Sequence, residues 1–249
     1  MGNENFQLYE SLDSTNSEAK RQVLNNGSSK WIIALKQLNG RGRRGKVWHS
    51  LSGNFNTSFL FYPPIKECDF YLYSYVAGIA FYDTVEALNV KTKNLCLKWP
   101  NDLLINNKKL GGILLENSNA PLKMRKALVI GFGLNLISCP AWDVLGSNAL
   151  LADKLKNNIS IVPEPVDILK ILMSLFQKWD LIFLRYGFKR IRNEFLKRTI
   201  PIGREIEVKT IKNSTIGKFF GISEDGSLIL DCSAGKIFVT AGDVLLIGK

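Results

Sequence analysis

The apolar positions of this chain fall into short runs in its first half, into helical spacing at two places, and into evenly spaced short runs at its end. The stretch DSTNSEAKRQVLNNG (13–27) predicts a first helix, with Thr15 and Glu18 at capping-box spacing and Gly27 as the stop. WIIAL (31–35) reads as a strand, and VWHSLSGNFNTSFLFYPP (47–64), rich in aromatic and β-branched residues, as a second strand ended by Pro63 and Pro64. Residues 69–88 carry apolar side chains at helical spacing and predict a buried helix. NLCLKWPNDLLINNKKLGGILLEN (94–117) reads as a strand, a Pro-Asn-Asp corner, a short strand, an Asn106-Asn107 turn and a return strand, and ALVIGFGLNL (127–136) as another strand. A long amphipathic helix is expected from residue 166, with a second helical piece after Gly187. From Pro201 onward five short strands separated by turn residues predict a small β-barrel.

The chain has 249 residues, enough for one sizeable core and a small appended domain; 46% apolar and 22% charged residues are ordinary for a globular protein. No apolar run is long enough for a spanning helix and the start lacks the features of an export signal, so the expectation is a cytoplasmic protein away from membranes. Cys68, Cys96, Cys139 and Cys232 are scattered without a C-x-x-C pair, and His49 is the single histidine. Histidine-activated nucleophiles and multi-histidine metal sites are thereby disfavoured. The chemistry falls to Lys, Arg, carboxylates and backbone amides, with a loosely held Mg²⁺ left open and no dedicated metal-ligand set among the residues. The formal charge of +11 suggests an anionic partner, although many lysines are spread singly over Asn-rich surface stretches.

One cluster is dense. GRGRRGK (40–46) satisfies a dinucleotide fingerprint, and the P-loop pattern up to its last position, which is Val47. Both patterns require a helix directly after the glycines, and the residues that follow are turn and strand types. On its own terms the segment is a set of guanidinium donors on a backbone loosened by Gly40, Gly42 and Gly45, expected to stay disordered by self-repulsion until it folds over a polyanion, either nucleic acid or a triphosphate.

Together with DSTN (13–16), VIGFGLN (129–135) and KWPNDL followed by KKLGGIL (98–103, 108–114), the loop resembles the biotin protein ligases from about residue 8 to the end. The resemblance implies an α+β fold: a class II synthetase-like core over residues 1–200, with a mixed, largely antiparallel sheet and flanking helices, and an SH3-like β-barrel over 201–249. It implies activation of biotin by ATP, with Mg²⁺, to biotinyl-5'-AMP and pyrophosphate, then transfer to a lysine of a biotin carboxyl carrier domain of acetyl-CoA carboxylase or another biotin-dependent carboxylase. By the same resemblance Ser14, Thr15 and Asn16 lie at the biotin end, and Gln37 faces the ureido ring or the adenylate. Arg41 and Arg43 of the Gly40-led loop contact carboxylate and phosphate oxygens, with Arg44 assisting. Lys109 bridges the biotin carboxylate and the α-phosphate, Trp48 is a lid, and Gly112, Gly131 and Gly133 let ring and ribose lie on bare backbone. Asn135 joins the binding set, with a plain strand position as its alternative. Asp102, assisted by Asn101, orients or deprotonates the carrier lysine, against the alternative of a turn-capping Asp.

Leu38-Asn39 and the segment around Asn148-Ala149-Leu150-Leu151 depart from the family's usual residues, and no role is carried to the latter; Trp142 is a candidate to stack on adenine. Only about a dozen residues precede DSTN, so a ligase without a helix-turn-helix domain and without specific DNA binding is expected, and a homodimer is left open. Two rivals are weighed: a lipoate or octanoate ligase, and a nucleic-acid-binding module, the latter marked by a steep salt dependence.

Overall fold

The structure is a computed structural model that describes residues 6–25, 27–91, 94–120, 125–141, 150–211 and 213–247. Its larger sheet has seven strands in the order β1-β2-β3-β7-β6-β5-β4. These are β1 (Phe6–Leu12), β2 (Lys30–Gln37), β3 (Phe55–Phe61), β4 (Leu95–Lys98), β5 (Asp102–Ile105), β6 (Lys108–Ala120) and β7 (Arg125–Leu134). β1 runs parallel to β2, and the other neighbours are antiparallel. The strand read over 47–64 is confined to β3, because residues 47–54 carry the chain out of the arginine loop. β1 lay in a stretch that sequence patterning left unassigned.

Alternation along the strands sends one set of side chains to each face. On one face Phe55, Leu134, Gly111, Leu103 and Leu97 form a cross-strand row. That face packs on α2 (Tyr73–Glu86) and α3 (Pro165–Leu196), whose buried residues include Tyr73, Phe81, Leu172 and Phe176. The expected break in α3 is at Gly187, whose φ of 71° interrupts the helical run. On the opposite face α1 (Thr15–Leu24) buries Ala19 and Val23 against Ile32, Leu60, Ala127 and Val129. The cap of α1 is Ser14, accepting from the Ser17 amide; Thr15 does not cap, as its amide and hydroxyl both reach Gln37.

The five predicted C-terminal strands form: β8 (Glu205–Lys209), β9 (Ser214–Ile222), β10 (Leu228–Cys232), β11 (Gly235–Val239) and β12 (Asp243–Leu246). They make an antiparallel sheet in the order β11-β10-β9-β8-β12; among the described residues no pairing joins its two edges, so it is an open SH3-like sheet rather than a closed barrel. Ile206, Val208, Phe219 and Val244 share the main core, and the Tyr75 hydroxyl donates to the Gly226 carbonyl, which ties this sheet to α2. Trp99 is buried, and its indole donates to the Tyr75 hydroxyl, so it packs as core.

Candidate active site

The α1-side face of the large sheet changes character toward one end. Asn56, Gly133, Gly112, Asp102 and Lys98 are register partners in a single row across β3, β7, β6, β5 and β4, with Ser58, Gly131 and Leu114 in the row two residues along. A register shift at Leu103/Leu104 pairs Leu104 with Lys109, which brings Lys109 to the face of Asp102 although it stands three residues before Gly112. The glycines at 112, 131 and 133 leave a floor of backbone with polar groups around it.

Above this floor is a cleft of about 770 Å³ lined by Arg41, Arg43, Trp48, Asn101, Asp102, Lys109, Gly112 and Asn135, and also by Lys98 and by Asp243 and Val244 of the C-terminal sheet. A small cavity of about 40 Å³ adjoins it, lined by Ser14, Thr15, Asn16, Gln37, Gly131 and Gly133. Arg41 and Trp48 line both. Of sixteen residues assigned to the site from the sequence, fourteen thus line one or both of these adjoining cavities. Gly40 lines neither cavity; a Cβ there would meet the Ser50 hydroxyl and the Trp48 carbonyl at 2.5 Å, so its role is close packing of the loop base. Arg44, at φ 54°, lines neither cavity and lies 3.9 Å from Asp243, so its assisting role is not supported by its position. Trp142 and Asn148-Ala149 lie outside the described residues.

The small cavity is walled by a hydrogen-bonded set. Ser58 donates to Asn16 Oδ1 and its hydroxyl oxygen lies 2.7 Å from Thr15 Oγ1, and Gln37 Nε2 donates to Ser50. Asn16 Nδ2 donates to Glu116 at 2.8 Å. A Cβ on Gly131 would stand 2.3 Å from Asn16 Oδ1, and one on Gly133 would stand 2.5 Å from the Trp48 indole. These two strand positions therefore admit Asn16 and Trp48 against bare backbone.

Asp102 is the electrostatic centre of the large cleft. Its two oxygens meet Lys109 at 2.6 Å and Lys98 at 2.8 Å, and it is buried. Burial by itself would raise its pKa, but the two ammonium groups outweigh it and hold the carboxyl well below the usual carboxylate range. A carboxylate so stabilised is a weak proton acceptor. Of the two roles expected for Asp102, orientation fits the geometry and proton abstraction does not. Lys109 Nζ also lies 5.6 Å from the centre of the Trp48 ring. Asn101 accepts from Arg43 at 3.3 Å and donates to the Ile113 carbonyl at 2.8 Å. Asn135 donates to the Asp153 carbonyl, while its buried Oδ1 has no protein partner among the described residues.

The arginine loop is not a self-repelling coil. Arg41 and Val47 pair as an antiparallel bridge, and the Gly42 amide donates to the Lys46 carbonyl at 2.6 Å. The chain's own acids meet its cations: Arg41 donates to Ser17 at 2.7 Å and pairs with Glu116 at 3.2 Å, and Lys46 pairs with Asp243 at 2.7 Å. Glu116 also pairs with Lys20 at 2.6 Å. Despite partial burial, these contacts lower the pKa of both Glu116 and Asp243. The Arg43 pKa is lowered as well, but by burial, which disfavours its charged form. Glu116, Asp243, Asn56 and Ser58 were missed in the sequence. Glu116 was legible in principle as a carboxylate of β6 in step with Leu114 and Gly112, whereas Asp243 belongs to a strand about two hundred residues from the loop it meets.

Comparison with known proteins agrees with this architecture. Residues 8–135 match the biotin/lipoate A/B protein ligase family and residues 202–246 match the biotin protein ligase C-terminal domain. A biotin–[acetyl-CoA-carboxylase] ligase of Paracoccus denitrificans is 33% identical over 95% of this chain and 98% of its own length. The bifunctional ligase/repressor of Bacillus subtilis is 27% identical over 96% of this chain and 73% of its own. Among solved structures, the Aquifex aeolicus biotin protein ligase in complex with biotin and ATP superposes with a TM-score of 0.82 at 24% identity, covering 97% of this chain and 98% of that one, which establishes the shared fold. The chain belongs to the biotin/lipoate A/B protein ligase family, on its biotin protein ligase branch.

Proposed function

We propose that this protein is an ATP-dependent biotin–protein ligase that forms biotinyl-5'-AMP from biotin and ATP and then acylates a lysine of a biotin carboxyl carrier domain. The observation that carries the reading is the paired array of Lys109, Asp102 and Lys98 at the floor of a cleft also lined by Arg41 and Arg43. Attack of a carboxylate on an α-phosphate brings two anions together, and fixed cations lower that barrier most where water is scarce. Lys109, steered by Asp102, suits the point where both anions meet. Arg41 and Arg43 suit the remaining phosphate and carboxylate oxygens. The small cavity, with its serine, threonine, asparagine and glutamine groups, suits the ureido ring.

The second step is aminolysis of the mixed anhydride: the neutral carrier amine attacks the biotinyl carbonyl, AMP leaves, and the amine's proton passes to solvent or to the departing phosphate. Asp102 contributes by holding Lys109 rather than by taking that proton. Mg²⁺ would enter with ATP, most of its ligands being phosphate oxygens and waters. Among the described residues no group of three or more His, Cys, Asp or Glu side chains gathers as a metal cage, and both oxygens of Asp102 are engaged by lysines. In this reading residues 1–200 are the catalytic unit and 201–249 a distinct C-terminal unit. We assign the protein to the cytoplasm; no helix among the described residues is long and apolar enough to cross a membrane.

The test is incubation of the chain with biotin, Mg-ATP and a carrier domain, reading pyrophosphate release and carrier mass. Biotin should add to one lysine, and lipoate in a parallel reaction should not. No pyrophosphate and an unchanged carrier mass would overturn the proposal.

A further inference from the structure

Four contacts cross from the C-terminal sheet into the region of the cleft, all from Gly242 and the first two residues of β12. Lys46 Nζ meets Asp243 Oδ2 at 2.7 Å, Arg43 donates to the Gly242 carbonyl at 3.4 Å, and Lys98 donates to the Val244 carbonyl at 2.8 Å. Arg44 stands 3.9 Å from the same Asp243 oxygen. Asp243 is therefore the one carboxylate of this strand facing a loop with four cations, Arg41, Arg43, Arg44 and Lys46. Glu116 of β6 takes the first of these. The loop is thus held at both ends by acids, one from the large sheet and one from the C-terminal sheet. The Glu116 end is fixed to the large sheet, and the Asp243 end depends on the C-terminal sheet.

We infer that Asp243 is a positioning residue that holds the arginine loop over the cleft through Lys46 and Arg44, so that the C-terminal sheet helps to retain the adenylate between the two half-reactions. The inference rests on the ligase reading for its consequence, but not for its geometry. Without the carboxylate, Lys46, Arg43 and Arg44 repel one another within a few residues, and that end keeps only the neutral acceptors of Arg43, the Gly242 carbonyl and Asn101, beside the loop's own backbone bonds. Both partners are partly exposed, with side-chain exposures of 30% for Asp243 and 68% for Lys46, so the effect is moderate and sensitive to salt.

The experiment uses the full chain and two readouts. In the first, trypsin cleavage after Arg43 and Arg44 is timed at low ionic strength for the wild type and for Asp243→Asn, Asp243→Glu and Lys46→Gln. Asp243→Asn should be cut about threefold to tenfold faster, the gap should shrink at about 0.5 M salt, and Asp243→Glu should restore most of the protection. Lys46→Gln should accelerate cleavage too, and Asp243→Asn added to it should have less than its single effect. In the second, adenylate formed on the enzyme in the absence of carrier should escape faster from Asp243→Asn by a similar factor, with escape normalised to the adenylate actually formed because the loop arginines also serve the first step. Unchanged cleavage of Asp243→Asn, or equal acceleration at tryptic sites throughout the chain, would overturn the inference. A wild-type protein that makes no adenylate would instead sink the ligase reading, and the cleavage arm would still decide the role of Asp243.

Discussion

Replacing Lys109 by alanine removes the cation nearest the centre of the cleft while leaving its scaffold. Asp102 keeps Lys98 at 2.8 Å, so the buried carboxylate is not orphaned, and Lys98 keeps its bond to Val244. The structural cost is one charge-assisted hydrogen bond at 2.6 Å with a partly exposed lysine, about 1.5–3 kcal/mol. For a chain of this size that lowers the melting temperature by roughly 3–12 °C, and the protein remains folded at assay temperature. The functional cost is of another order. A preorganised donor aimed at charge that grows in the transition state contributes about 2.7–4 kcal/mol, which predicts a fall of roughly 10²–10³-fold in adenylation. The assay is single-turnover pyrophosphate release at saturating biotin and ATP, with circular dichroism to confirm folding. A folded variant that adenylates within about fivefold of the wild type would refute the placing of Lys109 at the meeting point of the two anions.

Three further outcomes are expected. Asp102→Asn should slow adenylation by loosening Lys109 and should leave the acidic limb of the pH profile of carrier transfer where the wild type has it, because Asp102 takes no proton in that step. Because the folded carboxyl lies below its unfolded value of about 3.9, its stabilisation is complete above that value and is lost as pH falls through the folded pKa. The difference in acid stability between Asp102→Asn and wild type should accordingly be full at about pH 6 and vanish on strong acidification, and a constant difference across that range would contradict the linkage. Gly133→Ala drives a Cβ into the Trp48 indole and should cost about 1–3 kcal/mol, recovered in part when Trp48→Ala is added; additive melting-temperature losses would show that the two do not touch. Arg43→Gly removes the donor to Asn101 and Gly242, and adenylate release without carrier should rise about tenfold, measured by filter separation of bound and free product.

Strand alternation made most of the fold legible. The aromatic and β-branched run of β3, the glycine-spaced run of β7 and the Pro-Asn-Asp corner each predict their own local geometry. Gly187 marked the break in α3 because a φ of 71° is open to glycine and costly to other residues. β1 escaped because its exposed face is polar and its short FQLYESL run lacks a strong apolar alternation. The cap of α1 was misread by one residue, since Ser14 and Thr15 are both capping types and only the tertiary bond from Thr15 to Gln37 distinguishes them. Within the site, the motif residues came together, while their counter-charges did not announce themselves. Glu116 and Asp243 carry no local pattern, and their importance arises only when strands distant in sequence face the same loop. The same holds for the character of Asp102: its position was evident in KWPND, but its weak basicity follows from two lysines that a β-bulge and a corner place on its two oxygens.

Those counter-charges change what the arginine loop is. Three arginines and a lysine in a glycine-rich segment would, with no acids nearby, resist folding by mutual repulsion. Here the chain supplies Glu116 for Arg41 and Asp243 for Lys46, so the loop has a folded form that needs no external anion. The contacts differ in depth. Arg41 Nη2 meets Glu116 at 3.2 Å while Glu116 is already served at 2.8 Å by Asn16 and at 2.6 Å by Lys20, so Arg41 is the least firmly held of its three donors. An anion in the cleft can replace Glu116 and Ser17 as partners of Arg41, and Glu116 keeps its other two partners when Arg41 turns away. The arrangement thereby separates two demands that sequence reading had merged: acids of the protein order the loop, and the cations those acids hold only loosely remain free to meet the reacting anions.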